Sequence, residues 1–372
     1  MKKYFVMAAL AVSTLTASAQ SVVPKWINNV KLSGFGIVQY TYNGQENNES
    51  NSFNLRLARL ALDGRAFDDW YWKAQIQFNG NTSTLGSSPK LVDLFIEWQK
   101  YDFLRVKAGQ FKNPFTYENP MHPIDQGFMS YSQVISKFAG FSDRAGAHSS
   151  NGRDIGVQLQ GDFLKNASGR NLIHYQVGVF NGQGINVKDV DQQKNIIGGA
   201  WVMPVEGMRL GAFGWIGSYA RKGTSASEGI TNTTLRRLQQ RRYAFSAEYK
   251  VDDWTFRSEY VHSTGYAFAK AMVNTNDASA KDITLSSNGD KSQGVYALVI
   301  APIIKTKCHA KARYDMYQPS KGAEKQRTQY EIGLDYYFNK NICLTGEYAY
   351  IHDRALADPN YSMIDVELSY RF

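Results

Sequence analysis

Met363-Ile364-Asp365-Val366-Glu367-Leu368-Ser369-Tyr370-Arg371-Phe372 ends the chain in strict alternation. Successive side chains of a strand point to opposite sides, so Ile364, Val366, Leu368, Tyr370 and Phe372 share one face while Asp365, Glu367, Ser369 and Arg371 share the other. Thr328, Tyr330, Ile332, Leu334 and Tyr336 repeat the pattern against Arg327, Gln329, Glu331, Gly333 and Asp335. Trp72, Ala74, Ile76 and Phe78 oppose Lys73, Gln75, Gln77 and Asn79, and Val92, Leu94, Ile96 and Trp98 oppose Asp93, Phe95, Glu97 and Gln99.

From about Val30 to Phe372 such segments recur, giving an expected sixteen strands whose connections are alternately short and long. The short joints are Phe67-Asp68-Asp69-Trp70, Lys100-Tyr101-Asp102, Pro204-Val205-Glu206-Gly207, Val251-Asp252-Asp253-Trp254, Pro302-Ile303-Ile304-Lys305 and Phe338-Asn339-Lys340-Asn341. Long polar stretches lie between them, at residues 43–51, 79–90, 113–151, 181–195, 221–239, 265–291, 319–326 and 353–361. Outer-membrane barrels have this asymmetry, with tight periplasmic turns and long outside loops. Strand number also speaks to function, because sixteen to eighteen strands leave an aqueous channel where eight are filled by side chains.

A soluble β-sandwich alternates in the same way, so other features must decide between the two. Lys2 and Lys3 precede an apolar run over Tyr4–Leu15 and then Ala17-Ser18-Ala19, which reads as a secretory signal peptide (residues 1–19) cut between Ala19 and Gln20. Aromatic residues gather near strand ends as interfacial girdles would, and the last strand ends on an aromatic residue. The expectation is an all-β, sixteen-stranded antiparallel transmembrane barrel over residues 20–372, in the outer membrane of a Gram-negative cell. Losing Lys2 and Lys3 takes the formal charge from +9 to +7, yet no basic and aromatic motif on a soluble domain points to nucleic acid.

Two cysteines are present, Cys308 on the expected lipid face and Cys343 on the lumen face, with one strand between theirs. At roughly 4.8 Å per strand spacing their Cα atoms stand about 9 to 10 Å apart, too far for a disulfide. Free thiols are therefore expected. The six histidines lack metal-ligand spacing, no cofactor is implied, and no Ser and His meet on the outer face as a lipase-type barrel requires.

Val106-Lys107-Ala108-Gly109-Gln110-Phe111-Lys112-Asn113-Pro114-Phe115-Thr116-Tyr117-Glu118 resembles the G-Q-F-K-x-P-F-x-x-E segment of the phosphate-selective porin O and P family. Phe53-Asn54-Leu55-Arg56-Leu57-Ala58-Arg59-Leu60 resembles that family's arginine-bearing second strand, and Gly178-Val179-Phe180-Asn181-Gly182 and the Tyr370-Arg371-Phe372 tail add to the likeness. The resemblance implies a trimeric channel for small anions such as phosphate, narrowed by an inward-folded third loop. It also implies that the assembly machinery recognises Phe372. Here that loop is residues 113–151, whose aromatic and proline content favours packing over disorder.

Anion preference requires cations on the pore wall. Parity puts Arg105, Lys107, Arg257, Lys307, Lys311, Arg313 and Arg327 inward, but acids such as Asp93, Glu97, Asp315, Glu331, Asp335 and Glu347 share those faces. Lys307, Lys311 and Arg313 on one strand form either a ladder that guides anions or paired charges that set up a transverse field. Arg56 and Arg59 have opposite parity, so both enter the lumen only across a bulge, with Arg59 the expected inward residue. In the third loop Lys137 and Arg144 stand against Glu118, Asp125 and Asp143. Arg221, Lys222, Arg236, Arg237 and Arg241 make either a basic outer funnel or a solvated loop beside lipopolysaccharide phosphates. The expected function is passive diffusion of small hydrophilic solutes with anion preference. The alternatives are an adhesin or structural barrel with a plugged lumen, or an outer-membrane enzyme.

Overall fold

The computed structural model describes residues 24, 26–78, 89–141, 143, 151–225, 229–265, 267–268, 279–280, 285–286 and 291–372. Sixteen long strands follow one another: β1 (Ile27–Asn43), β2 (Ser50–Ala66), β3 (Trp70–Gln77), β4 (Lys90–Tyr101), β5 (Leu104–Lys112), β6 (Arg153–Lys165), β7 (Asn171–Phe180) and β8 (Asn195–Val202). The second half comprises β9 (Met208–Ser225), β10 (Ile230–Val251), β11 (Trp254–Thr264), β12 (Lys291–Ile304), β13 (Cys308–Gln318), β14 (Arg327–Asn339), β15 (Ile342–Asp353) and β16 (Asn360–Arg371). Each pairs antiparallel with its neighbour in sequence, and β1 pairs with β16, with Gly36 opposite Tyr370, so the sheet closes on itself. Three two-residue pieces, Ala267–Phe268, Ser279–Ala280 and Leu285–Ser286, lie between β11 and β12.

Closure turns the alternation into an inside-out protein. Leu94, Ile96, Phe245, Ile332 and Leu334 are exposed on the outer face, while Asp93, Glu97, Glu331, Asp335 and Glu347 are buried inside. Aromatic pairs mark the end with the short turns, where Trp70 faces Trp98 across strands, Tyr101 stacks on Phe103 at 5.3 Å and Tyr336 packs on Phe338 at 5.1 Å. The turns are tight because consecutive residues adopt left-handed φ: Phe67 and Asp68 in one, Asp252 and Asp253 in another. Hairpin turns of this kind match the twist of the strands they join.

Two boundaries differ from the sequence reading. Pro302 lies within β12 at a register shift rather than opening a turn, and the joint falls at residues 305–307. A proline has no N–H to donate, so a bulge is one of the few places a sheet accepts it. The stretch read as a loop over 221–239 is mostly strand, since β9 runs to Ser225 and β10 begins at Ile230. Its arginines and polar residues mimic loop composition, while Thr234, Leu235 and their neighbours pair regularly with β9. Cys308 and Cys343 are free thiols on β13 and β15, with β14 between them. The signal-peptide residues lie outside the described residues.

Candidate pore constriction

The third loop leaves β5 through a segment with little freedom. A Cβ on Gly109, at φ +132°, would sit 2.2 Å from the Leu94 carbonyl oxygen, so only glycine lets β5 pass β4 there. Phe111 packs edge-on against Phe95 and Phe180 at 5.9 and 5.6 Å, and Phe115 against Trp215 at 5.6 Å. Asn119 ties the two ends of the loop together, donating to the carbonyls of Asn113 (2.9 Å) and Gly152 (3.1 Å). Within the loop, Ser132 caps the short helix α1 (Gln133–Phe138) by accepting from the Ile135 N–H, and Glu118 accepts from both the N–H and the hydroxyl of Ser132.

Residues 113–141 lie inside the barrel against the inward side chains of β8–β15. A loop in that position has backbone groups with no sheet partner, and leaving them unpaired is costly. Wall charges satisfy them. Glu259 accepts from the N–H groups of Tyr117 (2.7 Å) and Glu118 (2.9 Å), Glu347 from Met129 (2.9 Å), and Asp315 from Gln133 (2.7 Å). Arg257 donates to the Gln126 carbonyl (2.9 Å), Lys311 to Gly127 (2.8 Å), Arg313 to Ser130 (3.0 Å) and Arg242 to Phe138 (2.5 Å). Val134, Ile135 and Phe138 complete an apolar core with Tyr296, Leu298 and Tyr317 of the wall. Burial also pushes the Lys137 ammonium below its usual range, and that group sits over the Tyr317 ring.

The opposite side of the loop faces water. Between it and β2–β7 lies a cavity of about 290 Å³ lined by Arg59, Lys73, Lys107, Lys112 and Arg153, with Asp93 the acid among the lining residues. Arg153 binds Asp93 through Nε (2.6 Å) and Nη2 (3.1 Å), and Lys107 stands 3.6 Å from Glu97. Arg59 donates to Gln77 (2.9 Å) and Lys112 to the Met121 carbonyl (2.5 Å). Among the described residues, Arg59, Lys73 and Lys112 form no ion pair with a carboxylate. His122 borders the same cavity; burial holds its pKa down to about 4, so it is neutral at pH 7. A second cavity, about 400 Å³, opens toward the short turns and has the opposite balance, with Asp125, Asp253, Asp335 and Glu367 against Lys250 and Lys311.

The model of the family described as phosphate-selective porin O and P matches residues 33–191, which span β1 to the stretch beyond β7 and include the third loop. Over that segment the chain is similar to this family, and its closed sixteen-stranded antiparallel barrel is the fold of outer-membrane porins. No curated protein matches it by sequence. Solved structures match over nearly the whole barrel. The loop L8 deletion mutant of OmpT from Vibrio cholerae is 12% identical over 92% of this chain and 99% of that one, with a TM-score of 0.61. The outer-membrane channel DcaP of Acinetobacter baumannii is 13% identical over 92% and 97%, also at 0.61. The anion-selective porin from Comamonas acidovorans is 13% identical over 92% and 99%, again at 0.61. At such identities the likeness is one of fold.

The barrel distributes the expected site residues over three settings. Arg59 and Lys107 reach the basic cavity, and Lys107 rests over the rings of Phe95 and Phe111 at 5.0 and 5.3 Å. Arg56 joins Arg59 inside, because a register shift in the β1–β2 pairing supplies the bulge, and it binds Glu367 at 2.7 Å. Arg105 pairs with Asp162 farther along the wall.

The ladder expected to guide anions is occupied otherwise. Arg313 is held by Glu331 (2.6 and 2.8 Å), Lys311 by Asp335 and Glu347 (2.8 and 2.7 Å) and Arg257 by Glu248 (2.8 Å), and all three brace the loop. Arg327 reaches Asp353 (3.6 Å), Tyr361 (3.2 Å) and Gln133 (3.4 Å). Lys307 is an exposed turn residue near the ring of outward Tyr336, and not an inward strand residue; the shifted joint at 305–307 is the cause.

In the loop, Glu118 serves internal packing and Asp125 pairs with Arg371 at 2.8 Å, while Arg144 lies outside the described residues. Of the expected outer funnel, Arg221, Lys222, Arg236, Arg237 and Arg241 belong to β9 and β10 rather than to a loop. Arg237 binds Asp191 at 3.4 Å, and Arg241 is exposed on the outer face opposite Thr264. Phe372 exchanges backbone hydrogen bonds with Gly34 at 3.0 and 3.1 Å and leaves its side chain exposed. Sequence reading did not single out Lys112 and Arg153, which flank the third loop. The signal that could have found them is their position: the last residue before the loop and one of the first after it face each other where β5 pairs with β6, at the root of the loop.

Proposed function

We propose that this outer-membrane channel passes small hydrophilic solutes by diffusion, prefers anions with phosphate among them, and works as a homotrimer. The observation that carries the reading is the basic cavity beside the third loop, where Arg59, Lys73 and Lys112 stand without carboxylate partners among the described residues. Cations on a narrowed, low-dielectric passage raise the local concentration of anions and set the sign of the permeant ion. A porin of the same fold is described as anion-selective, and the in-vitro folded OmpT of Vibrio cholerae, 14% identical with a TM-score of 0.57, is described in a trimer form. Outward Arg241 suits the phosphates of an outer-leaflet lipopolysaccharide, and exposed Phe372 suits recognition by the assembly machinery.

Reversal potentials across planar bilayers in a potassium chloride gradient test the preference. An anion-selective potential is expected; a cation-selective one would overturn the reading, and a silent barrel would return the protein to a structural or adhesive role. Replacing chloride by phosphate then shows whether phosphate passes more readily than a simple halide.

A further inference from the structure

The basic cavity holds more than cations. Its far wall, on β3, β6 and β7, presents the amides of Gln75, Gln158, Gln160 and Gln176. Gln158 spends its Nε2 on Gln160 Oε1 at 2.7 Å, which leaves its own Oε1 buried with no hydrogen-bond partner. Gln75 and Gln176 are 6% and 9% exposed, and their side chains carry no hydrogen bond among the described residues. A buried amide oxygen without a partner is costly, so Gln158 Oε1 calls for a donor, while the Gln75 and Gln176 amides border the cavity with hydrogen-bonding capacity unused. Phe95, Phe111 and Met121 add apolar surface between the two polar walls.

Inorganic phosphate carries only one or two hydroxyls at neutral pH, so it can complete fewer of these amides than a sugar whose several hydroxyls are spread along a carbon chain. A hydroxyl both donates and accepts, which is what a row of amides needs. A cavity of about 290 Å³ is also near the lower size limit for lodging a small organic molecule. We infer that the cavity is a subsite for polyhydroxylated organic anions, sugar acids or sugar phosphates, whose anionic end meets Arg59, Lys73 and Lys112 while their hydroxyls meet Gln75, Gln158 and Gln176. This rests on the anion-preferring reading above and names the solute class of the same cavity.

The test is block of the chloride current through single channels by gluconate, glucose 6-phosphate, hexanoate, inorganic phosphate and glucose. Two or three hydroxyl–amide bonds correspond to about a tenfold gain in affinity, so gluconate and glucose 6-phosphate should block at about one-tenth the concentration of hexanoate or inorganic phosphate. Glucose should block least. A carboxylate-bearing and a phosphate-bearing sugar that block alike make the hydroxylated body the recognised part, whereas block by glucose 6-phosphate and inorganic phosphate alone would overturn the inference. In the doubly substituted protein Gln158→Leu, Gln176→Leu, gluconate and hexanoate should come within about twofold of each other. Equal block by gluconate and hexanoate in the wild-type channel overturns the inference even if the variant fails to fold, and so does an undiminished difference in a folded variant. Reversal potentials in chloride alone, read on the same wild-type bilayers, report the anion preference separately.

Discussion

The two halves of the lumen use the same residue types to opposite ends. On β10–β15 the inward cations Arg242, Arg257, Lys311 and Arg313 are each held by a carboxylate and turned against the third loop, as in Arg313 between Glu331 and the Ser130 carbonyl. On β2–β6 the loop turns away, and cations such as Lys73 and Lys112 border open space. An inward charge is therefore structural where loop backbone lies opposite it and free to act on solutes where water does. Counting charges by sign around the wall would treat the two halves as equivalent.

The sharpest way to break this contrast is to remove one brace. Arg313→Met leaves Glu331 buried without its partner and the Ser130 carbonyl without its donor, so a loss of about 3–5 kcal/mol is expected. The barrel should shift to its unfolded gel position at a markedly lower temperature and conduct more, as residues 126–138 leave the lumen. Unaltered thermal behaviour and conductance would show that the loop is held by other means.

A milder intervention addresses the other half. Lys112→Glu places an acid beside Arg59 and Lys73, and the anion-to-cation permeability ratio should fall by at least about threefold. Lys311→Met, by contrast, removes a cation that already faces Asp335 and Glu347, and reversal potentials should register much less change. Equal changes in the two variants would erase the distinction between the walls.

The smallest effect concerns pH. His122 packs edge-on against Phe35 at 4.4 Å, with Asp125, Lys112, Arg59 and Arg371 as the charges around it. Burial holds its pKa at about 4, below its ordinary 6.5, so the unfolded chain takes up the proton first as pH falls. Its contribution to stability is complete above pH 6.5, declines between 6.5 and about 4, and changes no further below that. Between pH 8 and 5 the thermal transition should drop slightly in the wild-type protein and less in His122→Gln. Because His122 stays uncharged in that interval, it should add nothing to anion preference. A rise in stability on acidification that depends on His122 would contradict this account.

Much of this is legible in the sequence. Alternation at Arg327–Tyr336 and Met363–Phe372 gave the faces, and Gly109–Glu118 marked the start of the third loop. Pro302 places the joint three residues too early and carries Lys307 with it, since proline in a bulge and proline in a turn look alike locally. The basic stretch of β10 resembled a loop because strands that rise beyond the membrane need no lipid-facing apolar residues. The bulge at Arg56 was conceivable from parity, but only pairing with β1 shows that it is there.

Inside and outside are properties of the sequence by itself, because side chains of a strand alternate with a period of two whatever lies beyond them. Which inward charges remain available is not, because that depends on meetings between residues far apart in the chain, Ser130 with Arg313 or Lys112 with Arg59. Only the closed barrel, with its third loop laid against one wall, brings those partners together, and the loop's demand for hydrogen bonds then decides which cations brace the structure and which face the solute.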